Sequence, residues 1–157
     1  MAAYRKPTIH LGTDHAGLVL KEAIKLYLVR LGYHVHDHGA FDAAPSDYPD
    51  FIIPAAEAVA RARGAAMGVV FGGSGIGECI AANKVAGIRA ALAYDGYTAK
   101  MSRVHNDANV LCLGGRTATR DVALAKRIVR TWLATPFSGD ARHVRRIKGI
   151  ASYERRR

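Results

Sequence analysis

Met67-Gly68-Val69-Val70-Phe71-Gly72-Gly73-Ser74-Gly75-Ile76-Gly77 is the stretch on which the fold turns. A short apolar run that ends in a cluster of glycines reads as a buried strand followed by a sharp turn, and residues Ile80 to Lys84 continue as a helix. The same strand–turn–helix sentence is repeated on both sides. Upstream, Thr8 to Leu11 reads as a strand, Gly12-Thr13-Asp14-His15 as its turn, and Ala16 to Arg30 as a helix, with Leu20, Ile24, Tyr27, Leu28 and Leu31 at helical spacing and Gly32 at its end. Tyr33 to Asp37 reads as a second strand. A polar loop with Pro45 and Pro49 then leads to a helix over Ile53 to Ala62. Downstream come a strand over Ile88 to Ala93, a helix over Asp95 to Val104, a strand over Asn109 to Leu113 and a helix over Val122 to Leu133. After Pro136 and Gly139 a basic helix is expected over His143 to Tyr153.

Strictly alternating strands and helices predict an α/β fold: a single-domain, Rossmann-like, doubly wound parallel sheet of five strands with helices on both faces. It is expected to occupy residues 1–157, with a basic C-terminal helix and tail from about residue 140 packing on a partner subunit. Sheets of this kind bind ligands beyond the carboxyl ends of their strands. Asp14 and His15, the glycine run and Asp95 all follow strands.

The glycine run is neither of the familiar nucleotide loops. Counting from Gly73, the sixth position of a dinucleotide fingerprint is Glu78, a carboxylate that repels a pyrophosphate, and the Gly-Lys-Ser/Thr ending of a phosphate-binding P-loop is missing. What Gly73, Ser74, Gly75, Ile76 and Gly77 offer is backbone N–H groups at a helix start, suited to negative charge that develops on a bound oxygen. A tight turn that uses glycine for backbone geometry alone is the other reading.

The 157 residues suffice for one core, and half of them are hydrophobic. No apolar run spans a bilayer, and MAAYRKPTIHLG lacks the apolar region of a signal peptide. Cys79 and Cys112 have no framework spacing and read as reduced thiols of a cytoplasmic protein. The net charge of +10 is concentrated toward Arg142–Arg157, where Arg155, Arg156 and Arg157 form a solvated tail. No groove-reading or aromatic-interleaved motif accompanies it, so the partner expected is a small anion rather than nucleic acid or membrane.

Several motifs together give the chain a resemblance to the type B ribose-5-phosphate isomerases, a family that also holds galactose-6-phosphate and allose-6-phosphate isomerases. They are Gly12-Thr13-Asp14-His15-Ala16-Gly17, Asp47-Tyr48-Pro49, Gly73 to Gly77, Ala81-Ala82-Asn83-Lys84, Gly87-Ile88-Arg89-Ala90, Ser102-Arg103 with His105-Asn106-Asp107, Gly114-Gly115-Arg116, and Arg142-His143 with Arg145-Arg146. The resemblance implies interconversion of ribose 5-phosphate and ribulose 5-phosphate through a cis-enediolate, with no cofactor and no metal. Many members carry a cysteine base at the position of Gly72; a second branch uses a glutamate just after the glycine loop, where Glu78 stands.

On this resemblance Glu78 is the base and His105 the acid that opens the furanose ring, with Asn106 on a neighbouring hydroxyl. Asp14 and His15 orient the sugar and its phosphate end, Tyr48 lines the pocket, and Arg116, Arg142 and Arg146 grip the phosphate. The site is implied to form between subunits of a homodimer or dimer of dimers. Each residue also has a plainer reading. Glu78 suits a helix dipole, Asp14 an N-cap, His105 a helix C-terminus, Tyr48 a surface loop, and Arg142 with Arg146 a solvated helix face. His34, His36 and His38 alternate onto one strand face, read as the polar face of an edge strand with Val35 inward rather than as a zinc site. The alternatives are an isomerase of a six-carbon sugar phosphate and, in another class, a non-catalytic binder of anionic sugars or nucleic acid.

Overall fold

The computed structural model describes residues 6–156. Strands β1 (Thr8–Thr13), β2 (Val35–Asp37), β3 (Ala66–Gly72), β4 (Ala90–Leu92) and β5 (Val110–Gly114) form one sheet in the order β2-β1-β3-β5-β4, every neighbouring pair parallel. Helices α1 (Leu18–Arg30), α2 (Pro49–Arg61), α3 (Ile76–Ala82), α4 (Gly96–Asn106), α5 (Val122–Ala134) and α6 (Ala141–Glu154) alternate with them.

Pleat alternation divides the apolar residues between two layers. Ile9, Leu11, Val69, Phe71, Leu111 and Leu113 turn to one face and meet Ile24 and Leu28 of α1 and Ile128 and Trp132 of α5. Val70, Val110 and Cys112 turn to the other and meet Ile52 and Val59 of α2 and Ala82 of α3. Strands covered on both faces read as continuous apolar runs, which is why β3 and β5 were so legible. The doubly wound α/β architecture is the one the sequence predicts.

The boundaries differ where glycine and proline act. Helix α3 begins at Ile76, not Ile80, because Gly75 takes a left-handed φ of 81° and turns the chain directly into the helix, although glycines weigh against helix in composition. Helix α2 begins at Pro49, whose fixed φ suits the first helical position, and carries Pro54 inside it. Tyr33 and His34 precede β2 rather than belonging to it.

Chain order reverses between β1 and β3, so the crevice of this sheet opens at their carboxyl ends. Lys21 helps to frame it: fully buried, it donates to Asp37 at 2.8 and 2.9 Å and to the Ala40 carbonyl at 2.7 Å, tying α1 to the start of the loop that leads to α2. Arg155 and Arg156 are exposed beyond α6, while Arg157 and the first five residues of the N-terminal stretch lie outside the described residues. Among the described residues no helix is long and apolar enough to cross a membrane.

Candidate active site

Asp14 leaves the end of β1 and caps a single 3-10 turn, His15–Gly17; its Oδ1 accepts from the N–H groups of Ala16 at 2.9 Å and Gly17 at 3.2 Å. The capping reading thus describes one oxygen of a carboxylate that is itself buried beside the crevice. His15 is fixed by a reciprocal pair with Ser46. The His15 N–H donates to Ser46 Oγ, and Nδ1 accepts from the Ser46 N–H, both at 3.2 Å. With Nδ1 accepting, the neutral ring carries its proton on Nε2, free to donate. Ser46 escaped the sequence reading; its partner lies 31 residues away, and a polar loop beside Pro45 was its only signal.

The glycine run follows β3 as expected, and two of its glycines answer to close neighbours. A Cβ on Gly75 would stand 2.8 Å from Leu92 Cδ1 and 3.0 Å from the Leu113 carbonyl oxygen. One on Gly77 would stand 2.9 Å from Cζ of Tyr48, so Tyr48 lies against the loop rather than out on the surface. Ser74 Oγ accepts from the Ile76 N–H at 3.2 Å. Arg116 donates its N–H to the Gly73 carbonyl at 2.9 Å and lays its stem across Gly73, leaving the guanidinium exposed at the rim.

Glu78 lies in the first turn of α3 and is only 4% exposed. Its carboxylate occupies the space above the end of β3 that any side chain at position 72 would fill, since a Cβ built on Gly72 collides with Oε1, Cδ and Oε2. The missing side chain at Gly72 and the carboxylate of Glu78 are therefore complementary halves of one arrangement. Burial raises the Glu78 pKa above the usual carboxylate value; a bond from its own N–H opposes this, and the charge of Asp14 adds to the rise. Cys79 turns elsewhere, donating to the Ala90 carbonyl at 3.4 Å; hydrogen bonding with the buried Cys112 lowers its thiol pKa to about 7. Both cysteines are free. Asp95, by contrast, is spent on structure: it caps α4 in a box with Thr98, whose N–H holds its carboxyl below the usual range.

The remaining candidates stand apart. Helix α4 starts beyond the carboxyl end of β4 and runs back to the amino ends of the strands, about 16 Å for its 11 residues. His105 and Asn106 end it there, where the Asn106 carbonyl accepts from Arg89 Nε at 2.9 Å just ahead of β4. Arg142 and Arg146 are exposed on α6, on either side of the buried His143. The His143 ring lies 4.5 Å from that of His105, its Nδ1 is 2.9 Å from Ser138 Oγ, and its pKa is lowered by burial and then by the neighbouring His105 and Arg142. The candidate residues therefore fall into two groups at opposite ends of α4. Asp14, His15, Tyr48, the loop, Glu78 and Arg116 form one; His105, Asn106, Arg142 and Arg146 form the other.

Residues 9–150 match the family model described as Ribose/Galactose Isomerase. A ribose-5-phosphate isomerase B of Mycolicibacterium paratuberculosis is 47% identical over 148 residues, covering 94% of this chain and 91% of the relative. The solved ribose-5-phosphate isomerase B of Clostridium thermocellum superposes with a TM-score of 0.90 at 45% identity, covering 95% of this chain and 98% of that one. That of Mycoplasma genitalium, solved with bound ribulose 5-phosphate, gives 0.91 at 38% identity, covering 97% and 99%.

Proposed function

The chain belongs to the ribose/galactose isomerase family, among its type B ribose-5-phosphate isomerases, and is an aldose–ketose isomerase; we propose that it interconverts ribose 5-phosphate and ribulose 5-phosphate with Glu78 as the base. The observation that carries the assignment of the base is the Glu78 carboxylate seated over Gly72. A carboxylate there is buried, raised in basicity, and faces the crevice at the switch point between β1 and β3. It takes the C2 proton of the open-chain aldose and returns it to C1, while the hydroxyl proton of O2 passes to O1, so that the C1 carbonyl becomes a hydroxyl as the C2 hydroxyl becomes a carbonyl and no outside oxidant or reductant is needed. Backbone N–H groups of the loop, other than that of Ile76, which is held by Ser74 Oγ, stabilise the enediolate oxygen as its charge develops.

The separation of the two groups supports a homodimer with exchanged parts, in which each group is a half-site completed by the partner. In that assembly His105 of the partner subunit protonates the ring oxygen, Asn106 of the partner subunit binds a hydroxyl, and Arg142 and Arg146 of the partner subunit join Arg116 on the phosphate. Asp14, His15 and Tyr48 orient the sugar. Exposed apolar side chains flank the Glu78 half-site, Ile76, Ile80 and Leu92 among them, with Tyr97 71% exposed and Ile150 bare on α6 beside the other half. Such a surface suits burial against a second copy. Reduced thiols and a phosphorylated sugar suit a cytoplasmic enzyme.

The test is the initial rate of ribulose 5-phosphate formation from ribose 5-phosphate with a chelator present, for the native chain and Glu78→Gln. Turnover by the native chain and a loss of about 10²–10⁴-fold in the variant are expected. Full turnover by Glu78→Gln would overturn the assignment of the base, and no turnover by the native chain would move the substrate to the six-carbon sugar phosphates.

A further inference from the structure

On the α2 face of β1 and β2 the fold gathers histidines that the isomerase site does not use. His10 of β1 and His36 of β2 are register partners, and the N–H of His38, just past β2, donates to the Leu11 carbonyl at 2.9 Å. Alternation sends Ile9, Leu11 and Val35 into the α1–α5 layer and leaves His10, His36 and His38 together on the opposite face. His10 was absent from the sequence reading, which grouped His36 and His38 with His34. The structure puts a ring from the neighbouring strand in that company.

The three rings have the spacing of a chelate. His10 Nδ1 and His38 Nε2 share a hydrogen bond at 2.9 Å, a separation that two ligands of one ion would also take, and ring centroids are separated by 4.5 Å for His36–His38, 5.1 Å for His10–His38 and 5.4 Å for His10–His36. A metal held by imidazoles at about 2.0–2.1 Å, with angles of roughly 90–109°, needs nitrogens about 2.9–3.4 Å apart and centroids about 4.5–5.3 Å apart. We propose that His10, His36 and His38 form a binding site for a divalent ion of the zinc class, which fastens the edge strand β2 to β1.

As placed, no group of three or more His, Cys, Asp or Glu side chains among the described residues is arranged to hold a metal ion. The site requires His36, the exposed ring of the three, to rotate about its side-chain torsions, and His10 and His38 to exchange their shared hydrogen bond for the ion. Burial lowers the pKa of His10 to about 4 and that of His38 in the same direction, keeping both neutral and ligand-ready at neutral pH. The cation whose charge acts on His10 and His38 is Arg61, 70% exposed and paired with Glu57 at 3.4 Å, so it can swing into solvent. Asp37 faces the other layer, where it holds Lys21 and Lys25. Glu78 is not part of the cluster, so occupancy is expected to act on stability and not on turnover.

The experiment uses the full chain without an affinity tag, stripped by chelator and titrated with zinc chloride by calorimetry at pH 7.5, with thermal melts and isomerase rates on the same samples. One zinc per chain, a raised melting temperature and an unchanged rate are expected. The double variant His10→Gln/His38→Gln is expected to weaken uptake on the order of 100-fold with the metal-free rate retained. The exposed His36→Gln, which leaves the partly buried pair intact, is expected to weaken it on the order of 10-fold. Absence of stoichiometric uptake by the native chain overturns the proposal, as does undiminished uptake by His36→Gln or by the double variant.

Discussion

Replacing Gly72 by alanine adds one methyl group and touches no charge, yet it is expected to disable the enzyme. The backbone at Gly72 needs no left-handed conformation, so alanine is tolerated there as a residue; what it meets is the Glu78 carboxylate, with all three carboxyl atoms inside the volume of the new Cβ. Carbon and oxygen must separate to about 3.3 Å or more, so the carboxylate has to retreat by at least about 1 Å. Displacing a reacting group by about 1 Å costs roughly 100-fold in rate, or about 2.7 kcal/mol in the barrier. Overpacking costs about 1–3 kcal/mol of stability, which leaves the chain folded. Initial rates on ribose 5-phosphate, with circular dichroism melts as control, should show kcat falling at least about 100-fold while KM changes little. A folded Gly72→Ala protein with native kcat would refute the idea that the carboxylate over Gly72 is the base.

Because Glu78 must be ionised to act and burial raises its pKa, the acid limb of the kcat/KM profile should lie above the ordinary carboxyl value of 4.5; a limb at or below 4.5 would contradict this. His10 gives stability the opposite kind of handle. Its folded pKa of about 4 is below the ordinary 6.5, so the unfolded chain binds the extra proton between those values and stability falls as pH drops from 6.5 toward 4. That difference sets a ceiling of about 3 kcal/mol, and solvent screening at a partly exposed ring reduces it to about 1–2 kcal/mol. Urea titrations of metal-free native and His10→Gln chains at pH 7 and pH 5 should show a steeper loss in the native chain than in the variant, which keeps the smaller contribution of His38. If the half-sites are exchanged between copies, co-refolding inactive Glu78→Gln with inactive His105→Ala should restore about a quarter of the native sites, since half the dimers then hold one intact site of two. No recovery would mean that each site draws Glu78 and His105 from the same chain.

The fold was legible because its signals are local. Val69 to Phe71 and Val110 to Leu113 are apolar runs bounded by glycine, and Leu20, Ile24 and Leu28 keep helical period over one turn after another. The glycine loop and Glu78 were legible for the same reason, as they are contiguous. The start of α3 was misplaced by four residues because helix propensity penalises the glycines that the turn requires. Partners far apart in sequence, such as Ser46 on His15, left no trace in any local window.

By itself, then, the sequence determined the alternation of strands and helices, the crevice at the strand ends and the residue types that face it, because each follows from neighbours within a few positions. Only the tertiary structure decided that the Glu78 carboxylate fills the place of a side chain at Gly72, that Lys21 is buried on Asp37, that His10 joins His36 and His38, and that His105 and Arg142 lie at the far end of α4 from Glu78. Those are consequences of strand order and of the direction in which a helix returns along the sheet. Both are set by the packing of whole layers, which no short span of sequence contains.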